Sequence, residues 1–362
     1  MSIYLDYAAT TPVDERVITY MTRCMRDAWA NPSAAYSDAG AARKILRISR
    51  RQIASMLGCD AACVAFTSGG TESNSWALTA AAGKHAVISA IEHASVLEAA
   101  QKYAAEVTLV QPDENGVIQP ETVAAAIRPD TALVSVQWAN NETGVLQPIR
   151  EIRAVTKKIP LHVDAVQAFG HVPVDASLCD LMSLSAHKLY GPRGAGALYI
   201  APGMRLSALI PGGHQEMNLR AGTENVPAIG GFGEAARLAQ TDLAERAEAE
   251  TALLHDFVQQ IPIPGLRVLG EHAPRLPGVM ALYLPSLPSE EAIMQMDLRG
   301  FCLSGGAACH AGDGRPSHVY IAMGLDEKEA ACVVRVSIGR GATKQALADC
   351  AQALGEVWRN RR

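Results

Sequence analysis

Lys188 comes directly after a short apolar run, in the segment Ser185-Ala186-His187-Lys188, and an earlier apolar run ends at Asp164. A lysine amine can carry pyridoxal phosphate as a Schiff base, and an aspartate can pair with the nitrogen of the cofactor's pyridine ring. The two residues therefore indicate pyridoxal phosphate (PLP) chemistry. The alternative is a lysine that merely ends a strand and points to solvent.

Two further segments could bind an anion and a flat ring. Gly70 and Thr71 follow an apolar run and open a helical pattern, where free N–H groups and a hydroxyl bind anions. An ordinary strand–helix turn is the alternative. His93 follows the next apolar run, and its imidazole could stack on the cofactor or transfer a proton. The alternative for His93 is a polar residue near the start of a helix.

Polar side chains also surround the proposed lysine and aspartate in sequence. Gln167 follows Asp164 by three residues and could donate to the phenolic oxygen of the ring, while Ser185 and His187 could reach a phosphate. Asn141, in Asn140-Asn141-Glu142, could hydrogen-bond the phenolic oxygen or a carboxylate, or could form a turn.

Three later residues could bind an anion or react. Thr223 ends a glycine-rich loop and could cap the next helix or bind an anion. Cys309 lies beside His310 in the small-residue loop Ser304–Gly314, so it could be a reactive thiolate or a silent cysteine. Arg335 lies inside an apolar strand and needs a partner, for which a substrate carboxylate is the obvious candidate.

These residues must be positioned by short strands that alternate with helical patterns. We expect an α/β fold with a mostly parallel sheet covered on both faces, and ligands bind such sheets at the carboxyl ends of the strands. The predicted strands are Cys63–Thr67, Ala86–Ser89, Val107–Val110, Ala132–Gln137, Leu161–Asp164, Leu181–Ser185 and Gly196–Ile200.

A second, smaller α+β domain is expected after a long helix from Glu224 to about Gln260, which Pro262 and Pro264 stop. We expect residues 15–255 to form the large domain. Residues 1–14 and 256–362 should form the small domain with the cysteine loop.

Composition limits the possible partners. The chain has 362 residues, of which 49% are hydrophobic and 19% charged. Because its net charge is −5 and it has no runs of one sign, we expect no surface that binds nucleic acid. We expect no membrane helix, no signal peptide and no metal site. The eight cysteines include no Cys-x-x-Cys pair, which is typical of a reduced, cytoplasmic enzyme.

Taken together, these segments resemble the NifS/IscS-like cysteine desulfurases of the class V aminotransferase group, PLP enzymes of fold type I. The resemblance covers nearly the whole chain. It rests on the following segments: Tyr4–Pro12, Asn31–Ser33, Ser68–Asn74, Glu92-His93, Asn140–Gly144, His162–Gln167, Ser185–Pro192, Arg220–Asn225, Ala308-Cys309, Pro316–Val319 and Arg335–Arg340.

The resemblance implies a role for each candidate. Lys188 would be the Schiff-base lysine, and Cys309 the nucleophile that becomes a persulfide. Asp164 would hold the pyridine nitrogen, Gln167 the phenolic oxygen, and His93 would stack on the ring. The phosphate would be held by Gly70, Thr71, Ser185, His187 and Thr223 of a partner subunit in a homodimer. Asn141 and Arg335 would hold the carboxylate of L-cysteine.

The implied reaction converts L-cysteine into L-alanine and passes sulfur to an acceptor protein for iron–sulfur cluster assembly, tRNA thiolation or DNA sulfur modification. Three alternatives are a selenocysteine lyase, another class V PLP enzyme and a non-catalytic sulfur-relay protein. The loop departs from the family's usual Ser-Ser-Gly-Ser-Ala-Cys at Gly305 and Ala307, so two hydroxyls of the family pattern are absent.

Overall fold

The structure is a computed structural model that describes residues 2–306 and 316–361. The strands within those residues are, in chain order, β1 (Ile3–Tyr4), β2 (Val64–Thr67), β3 (His85–Ser89), β4 (Glu106–Val110), β5 (Thr131–Ser135), β6 (Leu161–Asp164), β7 (Leu181–Ser185), β8 (Gly196–Ile200), β9 (Arg267–Val268), β10 (Val279–Tyr283), β11 (Phe301–Cys302) and β12 (Val333–Ser337). Each predicted strand of the main sheet is present. Three have the predicted ends, Leu161–Asp164, Leu181–Ser185 and Gly196–Ile200, and the ends of the other four are shifted by one or two residues.

Helices separate most of these strands. They are α1 (Glu15–Asp27), α2 (Ala39–Leu57), α3 (Gly70–Leu78), α4 (Ala94–Tyr103), α5 (Pro120–Ala126), α6 (Ile149–Thr156), α7 (Gln215–Asn218), α8 (Val226–Gln259), α9 (Ser289–Asp297), α10 (His318–Ala322), α11 (Glu327–Ala330) and α12 (Lys344–Arg359). In the part of the chain that the structure describes, no helix is long and apolar enough to cross a membrane.

Seven strands form the main sheet, in the order β2-β8-β7-β6-β5-β3-β4. Its pairs are parallel except those of β8, which runs antiparallel to both β2 and β7. The expected mostly parallel α/β sheet is therefore confirmed. Because six of the strands point the same way, the carboxyl ends of β6 and β7 meet at one edge, where Asp164 and Ser185 lie.

The main sheet is covered on both faces, which explains why most of its strands are buried, whereas β4 at the edge is partly exposed. Alternate residues of β3 divide between two hydrophobic clusters. Val87 belongs to the cluster that includes residues of α2, α5, α6 and α8, whereas Ala86 and Ile88 belong to the cluster that includes residues of α3 and α4. The alternation of strands and helices therefore gives a three-layer arrangement, with the sheet between two layers of helices.

The long helix α8 leads from the main sheet to a second hydrophobic cluster. Its first half packs on the main sheet, while Leu254 and Phe257 join Leu5 and the strands β10 and β12. The sheet there has the order β12-β10-β9, and β1 pairs with β11 beside it. The N-terminal residues thus pack with the last third of the chain, and the exact domain limits at residues 15 and 255 stay a prediction.

Candidate active site

A cavity of about 260 Å³ lies at the carboxyl ends of the main-sheet strands. Ten of the residues that the sequence singled out line it together. They are Gly70, Thr71, His93, Asn141, Asp164, Gln167, Ser185, His187, Lys188 and Arg335. The first nine come from the main sheet and its connections, and Arg335 comes from β12 of the second sheet.

Lys188 ends a 3-10 turn, Ala186–Lys188, that directly follows β7. Its Nζ donates hydrogen bonds to the carbonyl oxygens of Ala8 and Ala9, at 2.5 and 2.9 Å. Gln167 donates to the Ala8 oxygen as well, at 2.7 Å. The N-terminal segment therefore forms part of the cavity wall, although sequence reasoning gave it no such role because backbone carbonyls leave no residue-type signal.

Asp164 is buried at the end of β6 and its carboxylate is held from two sides. Oδ2 accepts from Asn74 Nδ2 at 2.7 Å, and Oδ1 accepts from the backbone N–H of Val166 at 2.9 Å. The second N–H of the Asn74 amide donates to Ser95 Oγ at 2.9 Å. Asn74 and Ser95 both line the cavity, and sequence reasoning gave neither of them a role. The available signal was position, because Asn74 lies one helical turn after Gly70 and Thr71 in α3.

His93 caps the start of α4, and its Nδ1 accepts the backbone N–H of Ser95 at 3.1 Å. The proton of the neutral ring is therefore on Nε2. Burial lowers the pKa of His93, and the nearby carboxylate of Asp164 opposes that shift. The lowered pKa favours the neutral imidazole, and His93 lines the cavity.

His187 is also neutral. Burial, followed by the charge of Lys188, lowers the pKa of His187 to about 4. Its Nδ1 lies 3.1 Å from Thr10 Oγ1, so the ring is oriented by the N-terminal segment. A neutral imidazole next to the hydroxyls of Thr71 and Ser185 gives hydrogen-bonding groups without adding a fixed charge.

Arg335 is almost fully buried, with 1% of its surface exposed. Its Nη2 lies 2.6 Å from Asp6 Oδ1, and its Nη1 donates to the carbonyl oxygen of Asn141 at 2.8 Å. The partner that an arginine in an apolar strand requires is therefore Asp6, a residue that sequence reasoning did not consider. Because Arg335 still lines the cavity, it can also face an anionic ligand.

Thr223 is the one remaining predicted residue within the described part of the chain, and it does not line the cavity. Thr223 is exposed and borders a different groove with Trp29 and Asn31. It does not cap α8, because Asn225 does so by accepting the N–H of Ala228 through its side chain. Cys309 lies outside the described residues.

Comparison with known proteins gives consistent matches. A family model described as aminotransferase class V matches residues 3–349. The cysteine desulfurase IscS of Dictyoglomus turgidum is 38% identical over 360 residues, which cover 95% of this chain and 91% of that protein.

Solved structures agree with these matches. A NifS-like protein from Rickettsia africae superposes with a TM-score of 0.91 at 32% identity, over 99% of this chain and all of the other. A protein described as SspA in complex with cysteine superposes with a TM-score of 0.84 at 34% identity, over 94% of this chain and 99% of the other.

Proposed function

The chain belongs to the aminotransferase class V family, and from this we propose that it is a cysteine desulfurase that uses PLP to convert L-cysteine into L-alanine and protein-bound sulfur. The names of its relatives and the cysteine bound to a solved neighbour support this substrate. One observation carries the proposal. An amine, a carboxylate and a guanidinium, those of Lys188, Asp164 and Arg335, line a single cavity.

The residues of the cavity fit PLP. A Cβ atom at Gly70 would lie 2.7 Å from Val166 Cγ2, so only glycine lets the start of α3 approach the connection after β6 this closely. N–H groups at a helix start, with the hydroxyls of Thr71 and Ser185, suit a phosphate. Asp164 suits a protonated pyridine nitrogen. The neutral, flat ring of His93 suits stacking on a pyridine.

PLP, when bound, acts as an electron sink that makes the bonds around the substrate's Cα easier to break. We assign two roles to Lys188 Nζ: it would hold the cofactor, and it would move a proton at the substrate's Cα. The Ala8 and Ala9 carbonyls orient that amine. Arg335 and Asn141 bind the substrate carboxylate, because a guanidinium pairs with carboxylates through two parallel hydrogen bonds.

Cys309 is the proposed nucleophile. Its thiolate attacks the sulfur of the substrate, and an S–S bond forms while the substrate's C–S bond breaks. The electron pair of that C–S bond stays on carbon, which takes a proton and leaves as part of L-alanine. Cys309 is left with one extra sulfur atom, a persulfide that an acceptor thiol can remove.

Replacing the nucleophile tests this function. Cys309→Ala should keep the absorption of lysine-bound PLP while sulfide release from L-cysteine falls on the order of 10²-fold or more. The control is Cys302→Ala, because Cys302 is a half-buried cysteine in β11 outside the cavity lining. Full sulfide release by Cys309→Ala would reject the persulfide step, and amino-group transfer to a keto acid would indicate an aminotransferase instead.

A homodimer and a sulfur acceptor are part of the same proposal. The exposed Thr223 borders a groove beside Trp29, whose surface is 73% exposed, and this supports contact with a second subunit's phosphate site. The acceptor would serve iron–sulfur cluster assembly, tRNA thiolation or DNA sulfur modification. We expect the reaction to take place in the cytoplasm without direct nucleic-acid binding.

A further inference from the structure

The half-buried His171 and the buried Arg246 form a hydrogen-bonded chain that ends on the backbone of Lys188, and the buried Glu250 pairs with Arg246. His171 Nε2 lies 2.7 Å from the Lys188 carbonyl oxygen, and Arg246 Nη1 lies 3.3 Å from His171 Nδ1. Arg246 also donates to the Gly170 carbonyl oxygen through Nη2, and its Nη1 lies 3.6 Å from Glu250 Oε1. None of the three side chains belongs to the described residues that line the cavity, so direct contact with a ligand does not explain them.

The chemistry of arginine fixes the protonation of His171. A guanidinium can only donate, so His171 Nδ1 must accept from Arg246 and the ring proton must be on Nε2. Nε2–H therefore donates to the Lys188 carbonyl oxygen. The charged groups that face this ring are Arg246, Arg340 and Lys188, all cationic. Together with burial they lower the pKa of His171 to about 4, so the ring stays neutral at physiological pH.

The Lys188 carbonyl needs an outside donor because it is at the end of a helical turn. Carbonyls at such an end have no partner within the turn. The Ala186 oxygen accepts backbone N–H groups that follow the turn, and the His187 oxygen accepts from Thr11. The Lys188 oxygen accepts from His171. The plane of the peptide after Lys188, and with it the starting direction of the lysine side chain, therefore depends on this imidazole.

We propose that His171 is a positioning residue for Lys188, and that Arg246, held by Gly170 and Glu250, keeps it in the donating tautomer. This inference rests on the proposed function, because it assumes that Lys188 holds the cofactor. Without the bond, the Lys188 carbonyl would lose the imidazole as its donor and the turn would relax. The amine would then be displaced from its place beside the Ala8 and Ala9 carbonyls.

Two variants of His171 in the PLP-loaded enzyme separate positioning from general stability. His171→Leu removes donor and acceptor, whereas the amide of His171→Gln can both accept from Arg246 and donate to the Lys188 oxygen. We expect His171→Leu to shift the pH midpoint of the lysine-bound PLP absorption band by about half a unit or more. Its kcat should fall about tenfold with little change in KM. His171→Gln should restore most of both.

The matched control is His85→Leu. His85 is a buried histidine at the start of β3. Its ring nitrogens lie between the hydroxyls of Thr131 and Thr108, and it does not line the cavity. His85→Leu should lower the melting temperature without moving the midpoint. If His171→Leu does not fold, Arg246→Met is used instead. This variant keeps the imidazole of His171 but removes the donor that fixes its tautomer.

Each outcome decides the inference. A shifted midpoint in His171→Leu or Arg246→Met supports it, and an unchanged midpoint and kcat in the folded variant overturns it. Absence of a lysine-bound PLP band in the unmodified protein would instead overturn the proposed function. The two failures are therefore distinguishable.

Discussion

At the residue scale, Asn74 links the cavity's carboxylate to the residues around His93. It is 1% exposed, and its amide donates to both Asp164 Oδ2 and Ser95 Oγ. A hydrogen bond to a charged group stabilises by about 1.5–3 kcal/mol, so its loss leaves Asp164 less well oriented toward a pyridine nitrogen.

We therefore predict that Asn74→Ala weakens PLP binding by the apoprotein about tenfold or more. An absorbance titration with PLP measures the dissociation constant. Ser75→Ala is the matched control on the same helix, because the Ser75 hydroxyl lies 3.5 Å from Tyr103 Oη and Ser75 is not among the described residues that line the cavity. Equal dissociation constants for Asn74→Ala and the unmodified protein would contradict the role given to Asn74.

The contrast between Asp164 and Asn74 shows what sequence reasoning can find. Asp164 and Lys188 each follow an apolar strand, so the topology of a parallel sheet was enough to bring them together. Asn74 and Asp6 act on partners in distant elements, Asp164 and Arg335. Their side-chain directions depend on packing between elements, which no local pattern encodes.

At the element scale, the helix α8 carries charged residues into the interior. Its composition predicted a helix, and the structure confirms it over Val226–Gln259. The pattern did not reveal that Arg246 and Glu250, four residues apart, are both buried on one face. Burial raises the pKa of Glu250 to about 7, although the charge of Arg246 opposes the shift.

This raised pKa predicts a pH-dependent contribution to stability. Because the folded protein favours the neutral carboxyl, the contribution is complete below the usual pKa of glutamate and is lost as the pH rises through about 7. Between pH 5.5 and 8.5 the loss amounts to about 2 kcal/mol.

This loss of stability is measured by urea denaturation at both pH values, on the unmodified protein and on Glu250→Gln. The unfolding free energy of the unmodified protein should fall relative to that of the variant by this amount. Glu248→Gln, an exposed residue on the same helix, should show no such change. A constant difference between the unmodified protein and Glu250→Gln would mean that Glu250 titrates normally.

At the scale of the whole molecule, strand identities and the helix–strand alternation followed from the sequence, whereas the order of the strands did not. β8 lies between β2 and β7 and is antiparallel to both. This order depends on pairing between segments that are far apart in the sequence. The N-terminal residues were expected to contact the last third of the chain. They do so through the pairing of β1 with β11 and through the ion pair between Asp6 and Arg335.

The position of Thr223 gives a test of the proposed dimer. Its exposed hydroxyl does not line the cavity of its own chain, so a role at a phosphate site requires a second subunit. In a dimer with crossed contributions, a Thr223→Ala subunit paired with a Lys188→Ala subunit contains one intact site. That site combines Lys188 of the first subunit with Thr223 of the second.

Co-expression of the two variants with different tags should therefore restore sulfide release at limiting PLP. Random pairing makes half of the dimers mixed, each with one intact site in two, so about a quarter of the normal activity is expected. Thr251→Ala, which changes an exposed threonine on α8, is the control. Used in place of the Thr223→Ala subunit, it should give the activity that the unmodified chain gives there. If the mixed preparation is no more active than the average of its two parents, Thr223 acts within its own subunit or not at all.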